Sequence, residues 1–459
     1  MLQKIAGRAA GAILMTLALS HSAGAGIPIQ HWSQPSGVKV YLVESHVIAM
    51  VDLQIDFDAG ARRDPRDQAG LASVTAAMAS KGVLATPGRG AGGTAEPALD
   101  ENGLSEAWAD LGASFGASAS ADRMGFALRS LTYPDLLSKA VQLAARQLGE
   151  PAFPADIWLR ERERLKAAIK ESNTRPATVA GRAFAASVYG GHPYGFEMTE
   201  ATLGRIEVAD MQAMYASRIR PCRASVSIVG AVTRAQADQL VTQVFARLGP
   251  AGASAACAAQ SEVPEVEPLT RAEERRIDFD SAQAHVLLGQ PGFRRDDPDY
   301  FALTVGNYIL GGGGFVSRLS TEVREKRGLS YSVYSYFSPG LHAGAFTVGL
   351  QTRPDQAAQA LAVSREVITR FVSEGPTALE LEAAKSNLIG GFALRIDSNR
   401  KLLENVASIA WNNLPLDYLD TWTRRVQAVG LEDIRAAFAR KLQPERMVTV
   451  VVGGSNPAN

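Results

Sequence analysis

The chain has 459 residues, more than one hydrophobic core ordinarily supports, so two or three domains are expected. Apolar residues make up 46% and charged residues 20%, which fits a soluble globular protein. Lys plus Arg and Asp plus Glu are balanced at 47 each, so no basic surplus points to nucleic acid.

The first 25 residues stand apart. Lys4 and Arg8 are followed by an apolar run over 9–19, broken only by Thr16, and then by Ala23, Gly24 and Ala25. The run is too short to span a bilayer and small residues follow it, so 1–25 reads as a secretory signal cleaved near Ala25 rather than as a retained anchor. Loss of Lys4 and Arg8 leaves 45 basic against 47 acidic residues. The mature chain is expected in the periplasm or outside the cell, with no membrane span, because no later stretch is long and apolar enough. Its two cysteines, Cys222 and Cys257, could pair in such a compartment, and their spacing leaves both a disulfide and two free thiols open.

Strands are predicted near 38–44 and 49–57, followed by a helix over 70–80 with the sequence GLASVTAAMAS. Residues 206–230 and 429–453 then carry one pattern in one register, displaced by 223 positions. Asp210 meets Asp433, Ala213 meets Ala436, Pro221 meets Pro444, Arg223 meets Arg446 and Gly230 meets Gly453. Each copy reads as a helix, a proline stop and an alternating strand ending in glycine, so the chain contains two homologous halves. Small residues followed by an acidic, proline-spaced stretch mark 248–276 as an extended linker. The first half is therefore set at 26–247 and the second at 277–455. In the second half, strands near 284–289 and 331–349 flank helices over 298–310 and 317–326, and a helix near 355–374 stops at Gly375-Pro376. Strands with helices packed on one side point to α+β halves.

The stretch from 56 to 82 resembles the first-half signature of the M16 (pitrilysin, insulinase-like) zinc peptidases. Gly70, Leu71, Ala72, Met78, Lys81 and Gly82 match the flanks of that family's inverted zinc motif, H-x-x-E-H. Its chemical positions are empty: the two histidines fall on Ser73 and Ala77 and the catalytic Glu on Ala76. The third ligand, a Glu on a later helix, falls on Ala168 within ERERLKAAIKES. Residues i and i+4 of a helix project side by side, so two imidazoles there would grip one zinc and the residue at i+3 would activate its water. Alanine offers a metal no lone pair, and serine is a poor ligand. None of the six histidines is paired at helical spacing, and His192, in GGHPYG, reads as structural. No cofactor is expected in this chain.

Residues 309–337, ILGGGGFVSRLSTEVREKRGLSYSVYSYF, resemble the second-half motif of the same family, with Arg324 and Tyr331 as its Arg/Tyr pair. The resemblance implies that this pair faces the zinc of an opposite subunit and hydrogen-bonds the substrate carbonyl, a task suited to a guanidinium fork and a phenol. Outside that motif, the plainer reading is an Arg324 paired with a neighbouring Glu. The glycine run, Gly311, Gly312, Gly313 and Gly314, does not read as a phosphate loop. A helix precedes it, capped by Asp297 with Pro298 in its first turn, and no Lys-Ser/Thr follows. It reads as a C-cap and tight turn, and the resemblance adds exposed backbone that touches an extended peptide.

The fold implied is α+β: two homologous halves, each a mainly antiparallel sheet with helices on one face, as in the LuxS–MPP-like fold of the M16 family. The halves are expected to face each other across a dimer more than within one chain. The function implied is the non-catalytic, substrate-binding subunit of a heterodimeric M16 zinc metallopeptidase, not an active peptidase alone. The partners implied are a homologous subunit that carries H-x-x-E-H and its zinc, and a peptide or unfolded polypeptide substrate. The alternative is an M16-like binding or assembly protein. A hydrolase built on Ser73 is disfavoured because Ser73, in GLASVTA, does not stand in a G-x-S-x-G elbow.

Overall fold

A computed structural model describes residues 26–87, 95–248, 257 and 259–454. The signal-like segment 1–25 and much of the Ala- and Gly-rich stretch after 248 lie outside the described residues. The first half contains β1 (Gln30–Ser33), β2 (Lys39–Glu44), β3 (Met50–Phe57), β4 (Gly82–Val83), β5 (Leu99–Asp100), β6 (Ser114–Ala119), β7 (Met124–Leu131) and β8 (Ala224–Gly230). Its helices are α1 (Leu71–Met78), α2 (Glu101–Asp110), α3 (Pro134–Gly149), α4 (Ala155–Ser172), α5 (Pro176–Tyr189), α6 (Glu200–Leu203), α7 (Val208–Arg218) and α8 (Arg234–Val244). The second half contains β9 (Glu273–Ile277), β10 (Ala284–Phe293), β11 (Ser332–Phe337), β12 (Gly344–Thr352) and β13 (Val448–Val452). Its helices are α9 (Tyr300–Asn307), α10 (Ala357–Glu374), α11 (Ala378–Gly390), α12 (Asn399–Trp411), α13 (Tyr418–Ala428) and α14 (Leu431–Lys441).

The duplication is explicit in the sheets. The first runs β1-β2-β8-β3-β7-β6 and the second, from its opposite end, β9-β13-β10-β12-β11. In each, one parallel pair (β2 with β8, β13 with β9) sits among antiparallel ones. Helices α7 and α14 are displaced by the 223 residues read from the sequence. Strand β9 pairs with β13, so the second half begins at Glu273 rather than at 277, and the linker is four residues shorter than its composition implies.

Side chains alternate across each strand, and both faces of each sheet are covered. Val40, Leu42, Leu53, Ile55 and Phe57 join a core with Met78, Trp108 and Trp158 of the same half. Tyr41, Val43 and Val229, on the opposite face, instead share a cluster with Val406 and Ile409 of α12 from the second half. Reciprocally, Ala180, Ala183, Phe184 and Val188 of α5 pack on Ala345, Val448, Val450 and Val452 of the second sheet. Each half thus lends a helix to the other's sheet. This corrects the expectation that the halves meet mainly across a dimer, and it explains why β8 and β13 are buried on both faces almost throughout, Ser225 being the one partly exposed position. At Gly289 the approach is so close that a Cβ would fall 2.0 Å from the Phe346 carbonyl oxygen and 2.8 Å from the Phe184 ring.

Polar contacts complete the junction. Tyr194 donates to Asp122 Oδ1 at 2.6 Å, the Leu341 amide donates to Asp122 Oδ2 at 3.0 Å, and the Ala345 amide donates to the Tyr189 hydroxyl at 2.9 Å. The linker is fastened as well: Arg63 donates to the Ser261 carbonyl at 2.8 Å and the Ala343 amide to Glu265 at 2.8 Å. Cys222 and Cys257 form a disulfide, which resolves the pairing that spacing left open.

Candidate functional site

Helix α1 starts at Gly70, whose φ of +106° suits glycine, and buries Leu71, Ala72, Val74, Thr75, Ala76 and Met78. Asp64, buried and six residues upstream, caps it: Gly70 N–H donates to Oδ2 and Ala72 N–H to Oδ1, both at 3.0 Å. Burial raises the Asp64 carboxyl to about 7 against the pull of these amides and of Arg218.

Ser73 and Ala77, one turn apart, are both exposed on the outer face of α1, and Ala168 is exposed on α4. Ala76 is 1% exposed. The face that would carry a metal is therefore presented, but its only heteroatom is the Ser73 hydroxyl. Glu161, on the same face of α4 two turns before Ala168, is no substitute. Its carboxyl is held below the usual range first by its hydrogen bond to Arg164, and Lys81 lies 3.9 Å away. Among the described residues no group of three His, Cys, Asp or Glu is gathered as a metal site. The donor set at 73, 76, 77 and 168 does not fit zinc.

Beside α1, β6 is the edge of the first sheet. It pairs with β7 alone, and its outer side makes no backbone hydrogen bond to the described residues. A Cβ on its exposed Gly116 would meet nothing within 4 Å.

The homologous edge in the second half, β11, is built differently. Helix α9 begins at Tyr300, two residues later than the sequence implies. Asp297 does not cap it; its carboxylate pairs with Lys441 of α14 and accepts the Asp299 amide at 2.9 Å. The helix then widens into a π-helical turn, Tyr308–Gly312. Gly311 is buried in that turn, where a Cβ would lie 2.4 Å from Ser335 Oγ. Asn307 donates to the Ser335 carbonyl at 3.1 Å and accepts from Ser335 Oγ at 2.8 Å, which closes the outer edge of β11 at its middle. Gly312 and Gly314 are exposed, and Gly314 has φ +65°. Gly313 is turned toward Tyr308, away from the cleft.

The segment expected as a regular helix over 317–326 contains a second π-helical stretch, Ser320–Glu325, with Arg324 in its last turn. The Arg324 guanidinium carbon lies 4.3 Å from the Phe315 ring centroid and 5.4 Å from that of Tyr331. The two sequence-predicted residues are therefore brought together, with Phe315 as an unforeseen third member. The anticipated Glu partner is Glu325, but its oxygen is 3.5 Å from Nη1 and makes no hydrogen bond; Nη1 is buried without an acceptor. Glu322 is taken by Lys326 and Arg327, at 2.7 Å each, and these hold its carboxyl below the usual range. Tyr331 is 84% exposed. A cleft of about 460 Å³ opens here, lined by Gly312, Gly314, Phe315, Arg324, Tyr331 and Tyr334 among others.

Tyr334 and Tyr336, stacked with centroids 5.9 Å apart, flank the cleft. Sequence reasoning passed over them although their period-two spacing on a strand is legible. Asp64 and Asn307 act across loops and carry no local signal. His192 is structural, as read: it is buried and its Nδ1 accepts the Tyr194 amide at 3.1 Å. Burial first, then neighbouring His342, pushes its pKa down.

The family profile described as "Peptidase M16 inactive domain" matches residues 205–388, and that described as "Insulinase (Peptidase family M16)" matches 39–201. A solved peptidase M16 inactive domain from Pseudomonas fluorescens is 33% identical, with a TM-score of 0.85, over 94% of this chain and 98% of its own. This chain belongs to the M16 peptidase family. An uncharacterized zinc protease of Streptomyces coelicolor is 31% identical over 277 residues, which span 59% of each chain. The non-peptidase homolog YmxG of Helicobacter pylori is 26% identical over 406 residues, 86% of this chain and 87% of its own. The inactive-domain match and the non-peptidase relative agree with an α1 stripped of ligands: this is a non-catalytic type of M16 protein.

Proposed function

We propose that this M16 chain is the substrate-binding subunit of an exported heterodimeric zinc metallopeptidase. Its partner would be a homologous subunit carrying H-x-x-E-H. The single observation that carries this reading is Arg324. A guanidinium held between two aromatic rings, making no hydrogen bond to the described residues, opens into a cleft in a chain whose other half has no catalytic side chain. In such a complex Arg324 and the Tyr331 phenol would donate to a peptide carbonyl oxygen as negative charge builds on it, and a zinc held by the partner's H-x-x-E-H would supply the water-activating chemistry that this chain lacks. The open edge of β6 offers an extended substrate a row of backbone partners. The signal-like residues 1–25 and the Cys222–Cys257 disulfide support a periplasmic or secreted location.

The test is reconstitution. Mixing the mature chain with a zinc-bearing M16 homologue from the same cell should cleave an unfolded polypeptide that neither chain cleaves alone. Full activity of both Arg324→Ala and Tyr331→Phe in that mixture would refute the roles given to them. The kinship to a non-peptidase homolog favours one rival, a binding or assembly protein, which binds peptide but yields no cleavage with any zinc-bearing homologue.

A further inference from the structure

The cleft at Arg324 also indicates which peptides it takes, provided that it is a peptide site at all. We propose that it selects peptides presenting a carboxylate beside a large apolar or aromatic residue.

Charge is the first argument. Residues 322–327 contain Glu322, Arg324, Glu325, Lys326 and Arg327, a local surplus of one positive charge. Glu322 is consumed by Lys326 and Arg327, and Glu325 approaches Arg324 without hydrogen-bonding it. The cleft lining contains no acidic side chain. The guanidinium has five N–H donors, and none of them donates to the described residues. A neutral amide oxygen neutralises nothing. A carboxylate can take two parallel N–H groups of a guanidinium that Glu325 reaches only as an ion pair at 3.5 Å.

The second argument is shape. Phe315, 70% exposed, and Tyr331 flank the guanidinium, and the exposed Tyr334 and Tyr336 line the same cleft. Tyr334 packs against Gly349 of β12, where a Cβ would be 2.5 Å from its ring, and stacks with Tyr336, so the two rings together present an aromatic wall to the cleft. Such a concentration of exposed rings around one cation matches a ligand with an apolar body and an anionic head.

The third argument concerns the backbone. Asn307 closes β11 at Ser335, so a peptide cannot run along this edge as an added strand, as it can along β6. What remains is recognition of an end or of side chains. The carboxylate therefore comes either from a peptide C-terminus or from an Asp or Glu next to the apolar residue.

The test uses the mature, disulfide-intact chain and four acetylated, labelled hexapeptides of Gly, Ser and Ala. One ends in Phe with a free carboxylate, and a second is its C-terminal amide. The third is amidated and carries Phe-Asp internally, and the fourth replaces that Asp with Asn. Fluorescence anisotropy should give the free acid, the Phe-Asp peptide or both at least about tenfold tighter binding than the matched neutral peptide. Whichever acidic peptide wins identifies the source. In Arg324→Gln the ratio of acid to neutral affinity should fall to about one, whatever loss both peptides share, and Tyr334→Ser should weaken acid and neutral peptides alike. Equal affinity within both matched pairs on the unmodified chain would overturn the proposal, as would a preference that survives Arg324→Gln. Neutral peptides that bind equally well would leave the peptide-binding reading standing. A chain that binds no peptide and restores no cleavage to a zinc-bearing homologue would remove that reading as well.

Discussion

The two halves share a strand order but differ at the same place in it. In the first, the edge strand β6 is open and the neighbouring helix α1 presents Ser73 and Ala77 to solvent with no chemistry on them. In the second, the edge strand β11 is closed by Asn307, and the widened turns beside it hold a cation with no hydrogen-bond partner. One scaffold has kept a place for backbone, the other a place for charge. Three of the four emptied positions, 73, 77 and 168, are exposed and contribute little to the core, whereas the fourth, Ala76, is packed within it, so only there does the missing chemistry touch folding.

The sharpest break in the comparison would come from the helix exchange. Phe184→Ala, which empties the contact of α5 with the second sheet, should destabilise the chain by about 3–5 kcal/mol. Both halves should still unfold in one transition, measured by urea denaturation with far-ultraviolet circular dichroism and tryptophan fluorescence. Two separated transitions in the parent chain would show that the halves are not joined as described.

Next in size is the retained pair. In the reconstituted mixture Arg324→Ala should lower kcat about 10²–10³-fold, the range for removing a preorganised oxyanion donor. Because Arg324 makes no hydrogen bond to the described residues, the melting temperature of the variant should scarcely move.

Within α1 itself, burial separates neighbours. Ala76→Glu places a carboxylate where 1% of the residue meets solvent and should destabilise by at least about 2 kcal/mol. Ala77→Glu, on the exposed face, should change stability by no more than about 0.5 kcal/mol. Equal effects, compared by denaturation midpoint, would mean that the described burial of this face is wrong.

The smallest effect is a pH dependence at the junction. His192 is held below the ordinary 6.5, first by burial and then by His342, so the folded chain binds its proton less readily than the unfolded chain does. Its contribution to stability is complete above pH 6.5 and is lost as pH falls from 6.5 through the lower folded value. Asp64 runs the other way: raised to about 7, it stabilises the protonated state and loses that contribution as pH rises from 3.8 through 7. The two oppose each other on the acid side, so the measurement is the difference between the parent chain and His192→Gln. That difference should shrink as pH drops below 6.5. Parallel urea midpoints for the two proteins from pH 7.5 to 5 would deny His192 any part in the acid response. The titratable groups around it are Tyr189, Tyr194 and Asp122 of its own half, Glu265 of the linker and His342 of the second half.

Much of this was legible in the residues. The 223-residue register of Asp210 with Asp433 and Gly230 with Gly453 disclosed the duplication, because a repeated helix and strand need the same caps and stops. Ser73, Ala76 and Ala77 disclosed the missing chemistry, because lone pairs are a property of side chains rather than of folds. The rest depends on contacts distant in sequence. The apolar faces of α5 and α12 announce burial, but nothing in them says which sheet they cover. Asp297 and Pro298 look like a helix start, yet Lys441 draws Asp297 away and the helix begins later. No residue signal separates the π-helical turns at 308–312 and 320–325 from ordinary helix, and it is these turns that shape the cleft.

The reciprocal loan of α5 and α12 carries an obligation for anyone who cuts the gene in two. Either piece expressed alone would leave one side of its sheet bare, an oily plane with Tyr41 and Val43 or with Val448 and Val450 turned to water. Separate fragments should clump, whereas fragments made together should rescue each other's solubility, each supplying the lid that the other lacks.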